Sequence, residues 1–437
     1  MTESDGPTQA AKKGRPGRLR WLLLALLPLI LAGTGAAAFL GMKPYDPGQP
    51  PDQIKLSWSG DPHTSIVIVW HADRVEDAGV VVSAGPASRT FEAQRTHGAA
   101  IGTGVWFQAR VTDLRPGTTY QYVINSGPAK TPVYQFRTEP AGPHAVRFDV
   151  FADQGDCVHY AAACKVMDGI ARDRPDFVLG AGDLTYANDK DNGPNAADTW
   201  ANDIMRYYST WAPLLPTPGN HEYLPGDSIG NYKGRFVLPL QQPGQRGLGR
   251  TSGDYYSFSY GPVHVVALPE RYIDMKAGSR FQQWLDADLR QAAADPAIKW
   301  RVAFDHRPFY STGQRHGADH TYVKWVRPVL EKYHVDVVFS GHEHTYERTL
   351  PMLNGVARSE SPKTWTQGAG PAYVVTGGGG APVYNDFGPA QPWDAVRRKG
   401  HEHVRVDIDA SGNTLRLTAI ADDDGHVPFD QFVITAR

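Results

Sequence analysis

The chain has 437 residues, 41% hydrophobic and 21% charged, with 45 glycines and 34 prolines. This balance excludes a disordered chain, and the length exceeds what one hydrophobic core usually serves, so two loop-rich domains with accessories are expected. The net charge of −2 hides an asymmetry: residues 1–20 carry five basic and two acidic side chains, leaving about −5 on the remainder, a poor match to nucleic acid.

Lys12, Lys13, Arg15, Arg18 and Arg20 lead into residues 21–42, which contain no Asp, Glu, Lys, Arg or His. That length predicts a transmembrane helix, and the basic residues before it predict a cytoplasmic N-terminus with the rest of the chain outside the membrane. A signal peptide cleaved near Ala36-Ala37-Ala38 is the alternative. Residues 43–53, rich in Pro, Gly and Asp, read as a stalk. Strand-like runs follow at 54–58, 65–70, 79–83, 105–111, 119–125 and 133–138, a β-sandwich pattern over 54–140. Within it, the segment from Leu114-Arg-Pro-Gly through Tyr120-Gln-Tyr122 resembles the turn-and-strand signature of fibronectin type III domains, which makes the tyrosines structural.

Pro140–Pro143 is a boundary, and over 144–437 short apolar strands alternate with helical segments. Strands are predicted at 146–152, 177–181, 264–268, 301–305, 335–340, 373–376, 403–408, 414–420 and 429–434. Helices are predicted at 159–172, 196–211, 279–293 and 322–333. The only cysteines are Cys157 and Cys164. Seven residues along one helix span about 10 Å, too far for a disulfide, so pairing requires Cys157 to lie in a loop that folds back. Two small buried thiols are the alternative.

Open α/β sheets place ligands at the carboxyl ends of their strands, and five short motifs fall there. They are Asp153-Gln-Gly155-Asp156, Gly182-Asp183-Leu-Thr-Tyr186, Gly219-Asn220-His221-Glu222, Asp305-His306 and Gly341-His342-Glu-His344. Carboxylate, amide and imidazole groups arriving from several segments suit a metal site. Gly182, Gly219 and Gly341 each precede a candidate ligand and let the backbone turn sharply. Arg307-Pro308-Phe309-Tyr310 reads as a strand exit.

In this order the motifs resemble the metallophosphoesterase superfamily, and Tyr186 together with the upstream β-sandwich resembles its purple acid phosphatase branch, of plant-type architecture. The resemblance implies an α/β fold, a four-layer α/β/β/α sandwich preceded by the all-β domain and the transmembrane helix. It implies a binuclear centre in which Asp153, Tyr186 and His344 hold Fe(III), Asn220, His306 and His342 hold a divalent Fe, Zn or Mn, and Asp183 bridges them. The implied activity is phosphomonoester hydrolysis by a metal-activated hydroxide on a small-molecule phosphate ester. His221 is the expected proton donor to the leaving group. In the loop after His306, Arg315 and His316 are expected to bind substrate, with His316 as a further acid and Asp319 either orienting it or standing as a solvated loop carboxylate. A phosphodiesterase on the same metals and a non-catalytic surface-binding protein are the alternatives.

Three other patterns carry less. His401-Glu-His403 opens a strand and is expected on an outer face. Thr376-Gly-Gly-Gly-Gly380 lacks the Gly-Lys-Ser/Thr of a phosphate loop and reads as a flexible turn. Asp422-Asp-Asp424-Gly lacks the later Glu of a calcium loop and reads as a hairpin turn.

Overall fold

The computed structural model describes residues 49–72, 78–96, 104–193, 195–225, 228–239, 254–359 and 361–437. The membrane span expected at 21–42 lies outside the described residues. Among the described residues, no helix is long and apolar enough to cross a membrane.

The N-terminal domain is built from two antiparallel sheets. One orders its strands as Asp52–Ser57, Ile66–Ala72, Val105–Val111 and Gln94–Arg95. The other orders Ala87–Glu92, Ala78–Ala84, Thr119–Ser126 and Ala129–Lys130, with Tyr134–Arg137 also paired to Thr119–Ser126. Along Thr119–Ser126 burial alternates, because successive side chains point to opposite faces. Tyr120, Tyr122 and Ile124 therefore fill the core. The Tyr120 hydroxyl accepts from the Arg115 amide at 2.8 Å and fixes the corner before the strand. The sequence reading missed Ala87–Glu92, whose residues are almost all exposed and carry no alternation.

The second domain packs two seven-stranded sheets face to face. The first runs Leu214–Thr217, Phe177–Ala181, Val146–Phe151, Glu402–Ile408, Thr414–Ala421, Val427–Thr435 and Thr364–Thr366. The second runs Tyr256–Tyr260, Val263–Ala267, Trp300–Phe304, Val337–Ser340, Ala372–Thr376, Tyr346–Thr349 and Asp394–Arg398. Phe148 and Val150 of the first sheet share one core with Phe258, Val265 and Val302 of the second. The opposite face of the second sheet, through Val266, Ala303 and Val338, packs on Phe281, Leu285 and Leu289 of the helix Arg280–Ala294. Helix Ala161–Asp173 covers the first sheet with Ala163, Val166, Met167 and Ile170, a 3.6-period stripe. The four layers are thus α/β/β/α.

Strands covered on both faces, such as Phe177–Ala181 and Val337–Ser340, are buried at every residue and read as continuous apolar runs. The expected helix at 322–333 is two helices, His320–Trp325 and Arg327–Lys332. Pro328 explains the break, since it suits the first turn of a helix and removes a donor from an interior. Cys157 and Cys164 form a disulfide. Cys157 precedes the helix that begins at Ala161, which gives the chain the fold-back that pairing requires.

Candidate metal centre

All seven candidate ligands meet at the carboxyl ends of strands from both sheets. Val146–Phe151 delivers Asp153, Phe177–Ala181 delivers Asp183 and Tyr186, and Leu214–Thr217 delivers Asn220. From the second sheet, Trp300–Phe304 delivers His306 and Val337–Ser340 delivers His342 and His344.

Their donor atoms form two adjoining groups. In the first, the Tyr186 hydroxyl lies 3.1 Å from Oδ1 of Asp153 and 3.0 Å from Nε2 of His344, and that nitrogen lies 3.4 Å from Oδ1 of Asp153. In the second, Nε2 of His306 lies 3.0 Å from Oδ2 of Asp183, 3.1 Å from Oδ1 of Asn220 and 3.1 Å from Nδ1 of His342. Asp183 belongs to the second group by contact, and its charge also acts on Tyr186 and His344 of the first.

The donor set fits metal ions. Lone pairs of a carboxylate, an amide oxygen and two imidazoles crowd within hydrogen-bond distance with too few protons to satisfy them, which an oxygen- and nitrogen-ligated cation resolves. Burial works against charge on His306, yet the Asp183 carboxylate outweighs it and holds the imidazole up at about 10. Asp183 is held well below the usual carboxylate range despite its burial, by His306 first and then by His221 and His342. Burial, His306 and Arg307 drive His342 far down.

The backbone is bent to make this convergence. Asp153, Asp183, Tyr186 and His342 have φ of 57°, 49°, 50° and 70°, a left-handed region that costs ordinary residues about 1 kcal/mol or more each. Glu222 secures part of that bend, accepting the amides of Asp183 at 3.0 Å, Leu184 at 2.8 Å and Gly219 at 2.7 Å. Gly182 adopts the positive φ expected of it. Gly219 and Gly341 do not, and they serve close approach instead: a Cβ on Gly219 would overlap Oδ1 of Asp183, and one on Gly341 would overlap Oδ2 of Asp153.

His221 sits at the edge of the cluster, its ring 4.3 Å from that of Tyr186, with Nδ1 2.6 Å from Oδ1 of Asn188 and Nε2 3.8 Å from Oδ2 of Asp183. Arg315 and His316 are exposed on the loop after His306. The His316 ring stacks on His342 at 3.9 Å, and the Arg315 guanidinium lies over Tyr384 at 5.1 Å. Desolvation where its ring stacks on His342, the charges of His344 and His306, and Arg307 push His316 down to about 4. Asp319 does not orient it: its carboxylate caps the helix His320–Trp325 through the Thr321 amide at 2.7 Å.

Two further expectations change. His403 does not lie on an outer face; it is fully buried, with Nδ1 2.8 Å from Asp422 and Nε2 3.1 Å from Asp173. Asp149 completes a second group of metal-type donors there, but carboxylates occupy both imidazole nitrogens and Arg405 donates to Asp173 at 2.8 Å, the pattern of a buried ion-pair network. The glycine run is a buried seam: Gly379 donates to Ala152 at 3.0 Å, and a Cβ on Gly377 would overlap the Glu343 carbonyl.

Several site residues went unassigned in the sequence. Tyr384 stacks on His344, with ring centroids 4.1 Å apart and planes at 10°. Glu343 accepts the amide of Gly317 at 2.6 Å and Glu347 accepts that of Thr312 at 2.7 Å, so both hold the loop bearing Arg315 and His316. Arg307 donates to Nε2 of His342 at 2.7 Å. A charged residue at a buried strand exit was the signal available for Arg307.

Two adjoining donor sets at the strand ends of an α/β/β/α sandwich define a two-metal phosphoesterase. Comparison with known families agrees. Residues 146–346 match the calcineurin-like phosphoesterase model, and residues 51–138 match the purple acid phosphatase N-terminal domain. The chain is 29% identical to mouse acid phosphatase type 7 over 95% of its own length and 96% of the relative's. It is 28% identical to probable purple acid phosphatase 20 of Arabidopsis thaliana, covering 84% and 86% of the two chains. The purple acid phosphatase PPD1 from yellow lupin seeds shares its fold, with a TM-score of 0.77 at 20% identity over 89% of this chain and 74% of that one. Over both matched stretches the chain is similar to the purple acid phosphatases, within the metallophosphoesterase superfamily.

Proposed function

We propose that this protein hydrolyses phosphomonoesters at a binuclear centre held by Asp153, Tyr186 and His344 on one side, Asn220, His306 and His342 on the other, and Asp183 between them. The observation that carries the reading is the pair of adjoining donor groups, with Asp183 in contact with His306 of the second. Bound there, two cations supply Lewis acidity and an activated water for attack in line with the leaving oxygen.

The protein's own groups do the rest. Oδ1 of Asn188 accepts from Nδ1 of His221, which fixes the ring and leaves Nε2 facing the centre, 3.8 Å from Asp183. From there His221 hands a proton to the departing alkoxide. His316, stacked on His342, takes the part of a hydrogen-bonding group, and exposed Arg315 beside it supplies positive charge for the ester's outer oxygens.

Tyr186 favours ferric iron at the first position. Burial and the charges of Asp153 and Asp183 hold its phenol protonated in the metal-free protein, so ligation by that oxygen calls for an ion of high charge. A divalent Fe, Zn or Mn suits the neutral amide and imidazoles of the second position. The basic tail and apolar stretch at 21–42 favour a membrane anchor with the enzyme outside, and the Cys157–Cys164 bridge suits an oxidising compartment.

The reading is tested with the full chain reconstituted with iron and zinc, assayed on a phosphomonoester and a phosphodiester. Faster turnover of the monoester supports it. Preference for the diester transfers the site to a phosphodiesterase.

A further inference from the structure

Arg307 follows His306 directly, and only 7% of its surface is exposed. A buried guanidinium needs an anionic partner, and Glu270, itself fully buried, supplies one at Nε. The remaining edge of the fork points at the second donor group. Nη1 donates to Nε2 of His342 at 2.7 Å, and Nη2 donates to Oδ1 of Asn220 at 3.3 Å. A fixed cation is therefore aimed at a cluster whose chemistry is to bind another cation.

Like charges side by side are unfavourable unless an anion sits between them. The orientation of His342 says when the arginine becomes available. Its Nδ1 faces His306 and the donor cluster, while its Nε2 faces Arg307. A neutral imidazole carries one N–H. If Nδ1 gives its lone pair to a metal ion, the proton resides on Nε2, which can no longer accept from Arg307. The Asn220 oxygen turns one of its two lone pairs to the same ion and becomes a poorer acceptor. No change in charge is involved, only a change of tautomer. Filling the site thus removes the His342 acceptor from the outer edge of Arg307, weakens the Asn220 one, and leaves the Glu270 anchor untouched.

We infer that Arg307 binds the phosphoryl group: occupancy of the second metal position loosens the outer edge of its guanidinium from His342 and Asn220, and that edge then clamps phosphoryl oxygens lying over that position. The clamp makes no covalent bond, and its fork geometry matches two phosphoryl oxygens. It also sets an order, metal before phosphate, because in the metal-free protein the same donors are spent on His342 and Asn220. This rests on the phosphoesterase reading above.

Inorganic phosphate is the probe, titrated by calorimetry into the full chain with and without two equivalents of metal, alongside metal analysis. Arg307→Gln is expected to keep both metals and bind phosphate about 10- to 100-fold more weakly than the unaltered protein. The difference should vanish in the metal-free forms. Arg307→Lys, which retains the charge opposite Glu270 but loses the fork, decides the matter if the glutamine variant does not fold; about tenfold weaker binding is expected. Unchanged phosphate affinity in metal-loaded variants of an enzyme that still hydrolyses esters would overturn the arginine assignment alone. A metal-loaded unaltered protein that neither binds phosphate nor cleaves any ester would overturn this assignment and the phosphoesterase reading together.

Discussion

The hydroxyl of Tyr186 lies 3.0 Å from Nε2 of His344, although the two residues are 158 positions apart and come from different sheets. A phenol buried between an imidazole and the Asp153 carboxylate is placed to become a metal ligand. With ferric iron at that position, as proposed, Tyr186→Phe should bind one metal normally and the ferric ion weakly, and should lack a visible tyrosinate-to-iron band. Visible spectra of both proteins check this. An identical band in the variant would mean that another group colours the site.

Glu222 supports the site without reaching it. Its carboxylate gathers three amides around Asp183, each a hydrogen bond to a charged acceptor. Glu222→Ala strands those amides in a buried region, and a loss of about 2–4 kcal/mol in stability is expected. Metal content per chain should fall below two even in the fraction that remains folded. Unfolding curves and elemental analysis measure the two effects separately.

His221→Ala separates protonation from attack. Proton transfer to a poor leaving group contributes about 10²- to 10⁴-fold, whereas a nitrophenolate leaves unaided. The variant should lose that factor on an alkyl phosphate and much less on p-nitrophenyl phosphate. Equal losses on both substrates would assign His221 to binding.

Glu402 makes stability depend on pH. It is fully buried, and although the Thr376 hydroxyl and Gly378 amide oppose the shift, burial raises it from 4.5 to about 8. Between those values the folded protein keeps a proton that the unfolded chain releases. Its contribution is therefore fully present below pH 4.5, declines as pH rises, and levels off above about 8. Glu402→Gln needs no such proton and can serve both hydrogen bonds. Urea unfolding should show the variant more stable at pH 8 by roughly 1–3 kcal/mol, with little difference at pH 5.

The site was legible where chemistry is local. A carboxylate, amide or imidazole placed just after a glycine at a strand end declares itself, as Asp183, Asn220 and His342 do, and the other four candidate ligands converge with them. Groups that act across the fold did not declare themselves. Arg307 looked like the exit of a strand because its partners, Glu270 and His342, lie 37 and 35 positions away. His403 looked like a surface histidine because its burial depends on Asp173 and Asp422 from a helix and a neighbouring turn. Among the strands, Phe177–Ala181 was evident from its apolar run. Asp394–Arg398, half-exposed with three charged residues in five, owes its place to pairing with Tyr346–Thr349 and offered no periodicity to read.

The most direct test is phosphate release from a phosphomonoester by the full chain, measured after chelation and again after adding back iron and zinc. The structure predicts activity that falls with the metals, returns with them, and reaches its maximum at two ions per chain. Full activity in the chelated protein, or none with two ions bound, would contradict it.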